Sequence, residues 1–164
     1  MASAFPEMRG LDPVLPMYAA YESAHWMIGA GVVANRVFHL TDVAQVIVMT
    51  LGVAAFIGAN VLNRRSLLRA PVAAHTLFLL AACVLLAVQF LWLRPSMDGH
   101  LTLYWDAAAA GDHQAAAAHQ SAFNALHTPA SRLIGATGLA ALATIACAGW
   151  ALASDARRAR EATR

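Results

Sequence analysis

Two ionisable side chains stand three residues apart in an apolar N-terminal stretch, and they are the first candidates for chemistry. Glu22 and His25 lie in the run of residues 13–35, which contains no second acid. Positions three apart share one face of a helix, and an ionisable group at membrane depth marks a candidate functional site. A carboxylate beside an imidazole suits proton transfer, whereas an imidazole alone suits haem iron, zinc or copper.

Asn60 and His75 complete a candidate intramembrane polar cluster with Glu22 and His25. Asn60 is expected near the inner end of one predicted span, and His75 about one turn into the next span from the same side. The cluster fits a structural network that fixes helix register, or a site for a proton, a metal ion or haem b. The residue types leave both interpretations open, so no cofactor is assigned.

Histidines in the second half of the chain form another candidate set. His119, Phe123 and His127 recur at every fourth residue and therefore share a helical face. The candidate metal ligands are His25, His75, His119 and His127, although the residue pattern of the later pair favours a solvated face with one packed histidine. The sequence contains no HExxH, GxSxG, phosphate-loop or CxxC motif, so it indicates no specific catalytic chemistry.

Four long apolar runs must position these residues. The chain has 164 residues, of which 60% are hydrophobic and 12% charged, whereas soluble domains carry about 25% charged residues. A helix of about 20 apolar residues crosses a hydrocarbon core of about 30 Å. The sequence predicts an all-α, four-helix transmembrane bundle in a single domain, residues 1–164. The predicted spans lie at about 15–35, 43–62, 71–93 and 131–153.

The connections between the predicted spans differ in length. A short turn is predicted over residues 36–42, where Thr41 or Asp42 would cap the second helix. Pro95 is predicted to end the third span. A long outer connection over 97–128 should hold a short helix near 101–110.

A second helix in this connection is predicted to begin near residue 113 and to run into the fourth span. Gly111 would end the short helix and Asp112 would cap the next. Pro129 would allow a kink, and residues 155–164 form a charged tail.

Arginine distribution predicts the orientation. All 11 basic residues are arginine, as is common in GC-rich bacteria. Eight of them fall at the N-terminus, near 63–69 or in the tail, against three elsewhere. Basic residues concentrate on the cytoplasmic side. Four spans would then place both termini in the cytoplasm, in a bacterial inner membrane.

Two short motifs resemble a known family. The third run ends Trp92-Leu93-Arg94-Pro95, and the fourth is preceded by Phe123-Asn124-Ala125-Leu126-His127 and then Ser131. This pattern resembles the transmembrane protein 205-like family over residues 16–153. The resemblance implies a four-helix membrane bundle without established enzyme activity. It also implies functional or architectural roles for Trp92, Pro95, Phe123 and His127.

These features favour a non-enzymatic, multi-pass membrane protein. Its expected role is that of an accessory or scaffold subunit of a membrane assembly, or of a small tolerance factor. Its expected partners are the lipid bilayer and other membrane subunits or further copies of itself, and no basic patch indicates nucleic acid. A haem- or metal-binding redox subunit and a small proton-coupled transporter are the alternatives.

Overall fold

The described residues, 4–62 and 69–163 of a computed structural model, fold entirely into helices and the turns between them. The all-α prediction is therefore confirmed for this part of the chain, while the arginines at 64 and 65 lie outside it. The helical elements are α1 (Ala4–Leu11), a 3-10 turn (Pro16–Tyr18), α2 (His25–Leu62), α3 (Ala70–Val88), a π-helical segment (Gln89–Leu93), α4 (Arg94–Ala109) and α5 (His113–Ala162).

Three stretches of helix are long and apolar enough to cross a membrane. They are His25–Leu62, Ala70–Ala109 and His113–Ala162. Within their most apolar windows, only 0%, 28% and 11% of the residues, respectively, are buried inside the protein. Large apolar side chains that remain exposed on such helices match a hydrocarbon solvent better than water. This arrangement supports the prediction of a helical membrane protein.

The predicted turn over residues 36–42 is wrong, because α2 continues from His25 to Leu62. The segment contains no proline or glycine that would break a helix. Thr41 caps nothing: its hydroxyl donates to the carbonyl of Val37 within α2, over 2.9 Å. Asp42 is instead paired with Arg94. A single helix thus replaces the expected hairpin.

The first predicted span, 15–35, is also not one helix. Residues Pro16–Tyr18 form a 3-10 turn, and α2 begins only at His25. Two prolines, Pro13 and Pro16, explain this, since each lacks the amide donor that a helix interior needs. The helical part of the run is too short to cross a membrane by itself, and the four-helix bundle is not confirmed.

Pro95 does not end the third helix as predicted. The π-helical segment Gln89–Leu93 leads directly into α4, which begins at Arg94. A proline inside a helix removes a hydrogen bond and crowds the carbonyl four residues earlier, here that of Leu91. The wider π-helical turn around Leu91 relieves that crowding and lets the helix continue.

The turn between α4 and α5 forms where the sequence predicted it. Gly111 adopts a left-handed φ of 73°, as expected for the residue after a helix. Asp112 then caps α5, because its Oδ1 accepts the backbone N–H of Ala115 over 2.9 Å. The first helix of this pair is longer than predicted, starting at Arg94 rather than near 101. α5 remains helical through Pro129.

The chain divides into two compact units. The first comprises residues 1–47 and 94–128, and the second residues 48–93 and 129–164. The core of the first unit consists of Tyr21, Ile28, Leu101, Tyr104, Ala108 and Ala116. In the second unit the hydroxyls of Thr76, Thr137 and Thr144 donate to carbonyls one turn earlier. Such bonds satisfy polar groups in apolar surroundings.

Candidate functional site

Arg94 is the centre of a polar network in the first unit. Its Nε lies 3.3 Å from Oδ2 of Asp42 and 3.1 Å from Oδ2 of Asp98, and its Nη2 donates to Oδ1 of Asn35 over 2.7 Å. The side chains of Arg94 and Asp42 are only 19% and 10% exposed. The four residues, here called the Arg94 network, join α2 to α4. Two carboxylates around one guanidinium leave the network with a formal charge of −1.

A cavity of about 410 Å³ lies beside this network, between α2, α4 and α5. Aromatic side chains form much of its wall, including Trp26, Phe38 and Phe123. Its polar lining includes Arg94, Asn35, Gln120, Asn124 and His127. Its size and its few polar groups on an apolar wall are typical of small-molecule binding sites.

The polar groups of this cavity are mostly neutral. The charge of Arg94 is balanced by Asp42 and Asp98. Gln120 donates its Nε2 weakly to the sulfur of Met27 over 3.7 Å. The wall therefore offers hydrogen bonds from amides and an imidazole. Its one charged side chain, Arg94, is already paired, and the two carboxylates that pair with it are not among the lining residues.

His25 holds the segment that precedes α2. Its Nδ1 accepts the backbone N–H of Leu15 over 3.0 Å, so Nε2 carries the proton and donates to the carbonyl of Tyr21 over 2.7 Å. Both ring nitrogens are thus used, and a haem or metal bound to His25 would have to break one of these bonds. Glu22, the other member of the predicted pair, is exposed.

The remaining members of the predicted cluster lie in the second unit. Asn60 donates its Nδ2 to the carbonyl of Phe56 over 2.7 Å, within α2. The ring of His75 packs edge-on against that of Phe56, with centroids 4.8 Å apart. Each unit therefore holds two of the four residues, and a joint intramembrane cluster remains a hypothesis.

The histidines of α4 and α5 have diverse surroundings. His119 faces His100, with their Nδ1 atoms 3.5 Å apart. His127 packs edge-on against Phe123, with centroids 4.7 Å apart, and His113 stacks on Tyr21 at 5.5 Å. Among residues 4–62 and 69–163, no group of three or more histidine, cysteine, aspartate or glutamate side chains is arranged to hold a metal ion.

Sequence reasoning missed the contacts that join distant segments. The residues of the Asp42–Arg94 and His100–His119 pairs are too far apart in the sequence to form a recognisable motif. Only the i,i+4 spacing of Arg94 and Asp98 indicated a contact locally.

Two of the family-like positions, Phe123 and His127, line the cavity. Trp92 lies in the π-helical segment and is 57% exposed, while Pro95 is in the first turn of α4. Comparisons with protein-family models, curated proteins and solved structures found no match for this chain. The resemblance to the transmembrane protein 205-like family therefore stays a prediction, and function has to be inferred from the geometry.

Proposed function

We propose that this protein is a non-enzymatic, multi-pass membrane protein that acts as an accessory or scaffold subunit of a larger membrane assembly. The observation that carries the proposal is the exposed apolar surface of its long helices, above all α2, whose most apolar window is 0% buried. Lipid or partner helices must cover this surface. Partner subunits or further copies of the chain fit the role equally well.

Small residues on α5 support a helix-packing role. A methyl group added at Gly135, Gly138 or Gly149 would meet no atom within 4 Å. Helices in lipid associate mainly by close packing at small residues, because lipid tails are as apolar as leucine. Glycines with open space beside them allow another helix to approach closely.

Mild-detergent purification tests this proposal. The wild-type chain should co-purify with defined membrane subunits or as a defined oligomer, and Gly135→Leu or Gly149→Leu should reduce that association. Leu139→Ile is the matched control, because Leu139 is 70% exposed on the same helix and the change keeps its volume. A monodisperse, partner-free monomer that is indifferent to both glycine substitutions would contradict the proposal.

The proposed location is the inner membrane of a bacterium, with three crossings by α2, the helix Ala70–Ala109 and α5. A four-crossing arrangement would need a turn within residues 36–42, where α2 is helical. Arginines near 63–69 and in the tail favour a cytoplasmic position for both segments. An odd number of crossings then places the N-terminus on the opposite side from the C-terminus, rather than in the cytoplasm with it.

The cavity favours a second function, the binding of an uncharged amphiphile. Its aromatic wall suits an apolar chain or ring, and its amide and imidazole groups suit a head that makes hydrogen bonds. Arg94 is the only charged residue of the lining and is already paired with two carboxylates, so an anionic head gains no free counter-charge. Asp42 and Asp98 are not among the lining residues, so a cationic head would contact neither carboxylate. The ligand class is thus a neutral, lipid-soluble molecule with a hydroxyl or carbonyl group.

Three probes with the same chain test the ligand class. Decanol, decanoate and decylammonium differ only in the charge of the head group. In lipid nanodiscs, decanol should change tryptophan fluorescence saturably, and the change should be lost in Trp26→Phe but kept in the control Trp150→Phe. Tighter binding of either charged probe, or a signal that survives Trp26→Phe, would contradict this assignment.

A further inference from the structure

A pair of histidines links α4 to α5 in the first unit. The Nδ1 atoms of His100 and His119 are 3.5 Å apart, and their ring centroids are 5.8 Å apart with the planes tilted by 38°. The nitrogens are closer than the centroids, so the ring edges that carry Nδ1 face each other. Both side chains are half-buried, which leaves the pair accessible to small ions.

A direct hydrogen bond is a weak explanation for this pair. Hydrogen bonds from nitrogen are usually about 2.7–3.2 Å long, and the observed separation is larger. A direct bond also requires one ring to hold its proton on Nδ1 and the other on Nε2. Within the described part of the chain, neither ring makes another hydrogen bond that would fix these two different tautomers.

We propose that His100 and His119 bind one Zn²⁺ ion through their Nδ1 atoms. Tetrahedral zinc with Zn–N bonds of about 2.0–2.1 Å places two ligand nitrogens about 3.3–3.4 Å apart. Adjacent ligands in square-planar or octahedral geometry would lie about 2.8–3.0 Å apart, so the observed pair fits the tetrahedral preference better. Both rings then carry their proton on Nε2, and a small rotation of each half-buried ring directs its lone pair at the ion.

Two protein ligands make this an open site. Two water molecules would complete the tetrahedron, one more than at catalytic zinc sites, which have three protein ligands. The ion would connect α4 to α5 across the turn at Gly111 and Asp112, and would thereby stabilise the first unit. Binding requires neutral imidazoles, so affinity should fall as the pH is lowered.

Metal titration of the full-length protein in detergent tests the site. Calorimetry should give one saturable Zn²⁺ site per chain, and Co²⁺ in its place should show the intense visible absorption of tetrahedral cobalt. His100→Ala and His119→Ala should each weaken Zn²⁺ binding at least about tenfold. Even the mutation of a residue that only hydrogen-bonds to a metal ligand lowers metal affinity by that factor. His127→Ala is the matched control, because that ring packs on Phe123 of its own helix.

A ligand-preserving variant separates loss of the site from loss of the fold. His100→Cys keeps a side chain that binds zinc, so it should retain the Co²⁺ spectrum in a shifted form while His100→Ala loses it. The proposal is overturned if the wild-type chain binds no Zn²⁺ or if His100→Ala binds it unchanged. Equal weakening by His127→Ala, or octahedral cobalt absorption in the wild type, would also overturn it.

Discussion

Replacing Arg94 with methionine should destabilise the protein substantially. The substitution keeps an apolar stem but removes the guanidinium that lies 3.3 Å from Asp42 and 3.1 Å from Asp98. Removing one member of a buried ion pair costs about 3–5 kcal/mol, whereas an exposed pair contributes about 0–1 kcal/mol. With Arg94 19% and Asp42 10% exposed, the pair is closer to the buried case. Asp98 is 42% exposed and adds little.

We therefore expect Arg94→Met to lower the free energy of unfolding by about 2–4 kcal/mol. Unfolding in mixed micelles with increasing denaturing detergent measures this change. Arg69→Met provides a matched control: Arg69 lies 3.4 Å from Asp155, but the two side chains are 39% and 33% exposed. This control should cost less than about 1 kcal/mol.

The double variant Asp42→Asn with Arg94→Met tests the cause. Removing the Asp42 carboxylate as well should recover most of the loss, because both charges of the buried Asp42–Arg94 pair are then absent. The reasoning is refuted if Arg94→Met costs no more than Arg69→Met. It is refuted as well if the double variant is less stable than Arg94→Met alone.

Three further substitutions and one control test the turn, the helix cap and the core of the first unit by the same unfolding measurement. Gly111→Ala should lower the free energy of unfolding by about 1–2 kcal/mol because residue 111 has a left-handed backbone. The added Cβ would also lie 3.1 Å from the Cβ of Ala20. The control Gly99→Ala has open space at Cβ and should be neutral or stabilising. Asp112→Ala removes the cap of α5 and should cost about 1 kcal/mol, whereas an unchanged stability would show that the cap does not hold the helix start. Ile28→Ala should cost about 2–5 kcal/mol because the side chain is 0% exposed; a loss below 1 kcal/mol would mean that this core is loosely packed.

Local signals in the sequence were sufficient for the turn between α4 and α5. Gly111 supplies the left-handed residue that ends one helix, and Asp112 supplies the oxygen that caps the next. Both effects act within a few residues and depend little on the rest of the fold. The long apolar helices were predictable for a similar reason, since high hydropathy over about 20 consecutive residues indicates a helix that can cross a membrane.

Contacts between distant segments were not predictable from these patterns. Asp42 was expected to cap a helix because Gln45 follows it three residues later, at the capping-box position. In the structure α2 continues through Asp42, and Arg94 pairs with that carboxylate. The prediction of the first span was wrong because it was based on apolar composition. Pro13 and Pro16 restrict the backbone and lack the amide donor of a helix interior, and this effect outweighs hydropathy.

In the candidate site too, contacts within one helix were predictable and contacts between helices were not. The i,i+4 relation of Phe123 and His127 is local, and the two rings do pack together. The cavity that both line also needs α2 and α4, and no single-sequence pattern indicates which side chains of three separate helices meet. His100 and His119 likewise lie on either side of a turn whose exact geometry brings their nitrogens together.

Sidedness of the two termini tests the central claim, three membrane crossings, most directly. In a background with Cys83→Ala and Cys147→Ala, the substitutions Glu7→Cys and Glu161→Cys place single thiols near the N- and C-terminal ends. A membrane-impermeant maleimide applied to intact cells should label the thiol of Glu7→Cys, and should reach that of Glu161→Cys only after the cells are broken. Protection of both thiols in intact cells would restore an even number of crossings and contradict the account.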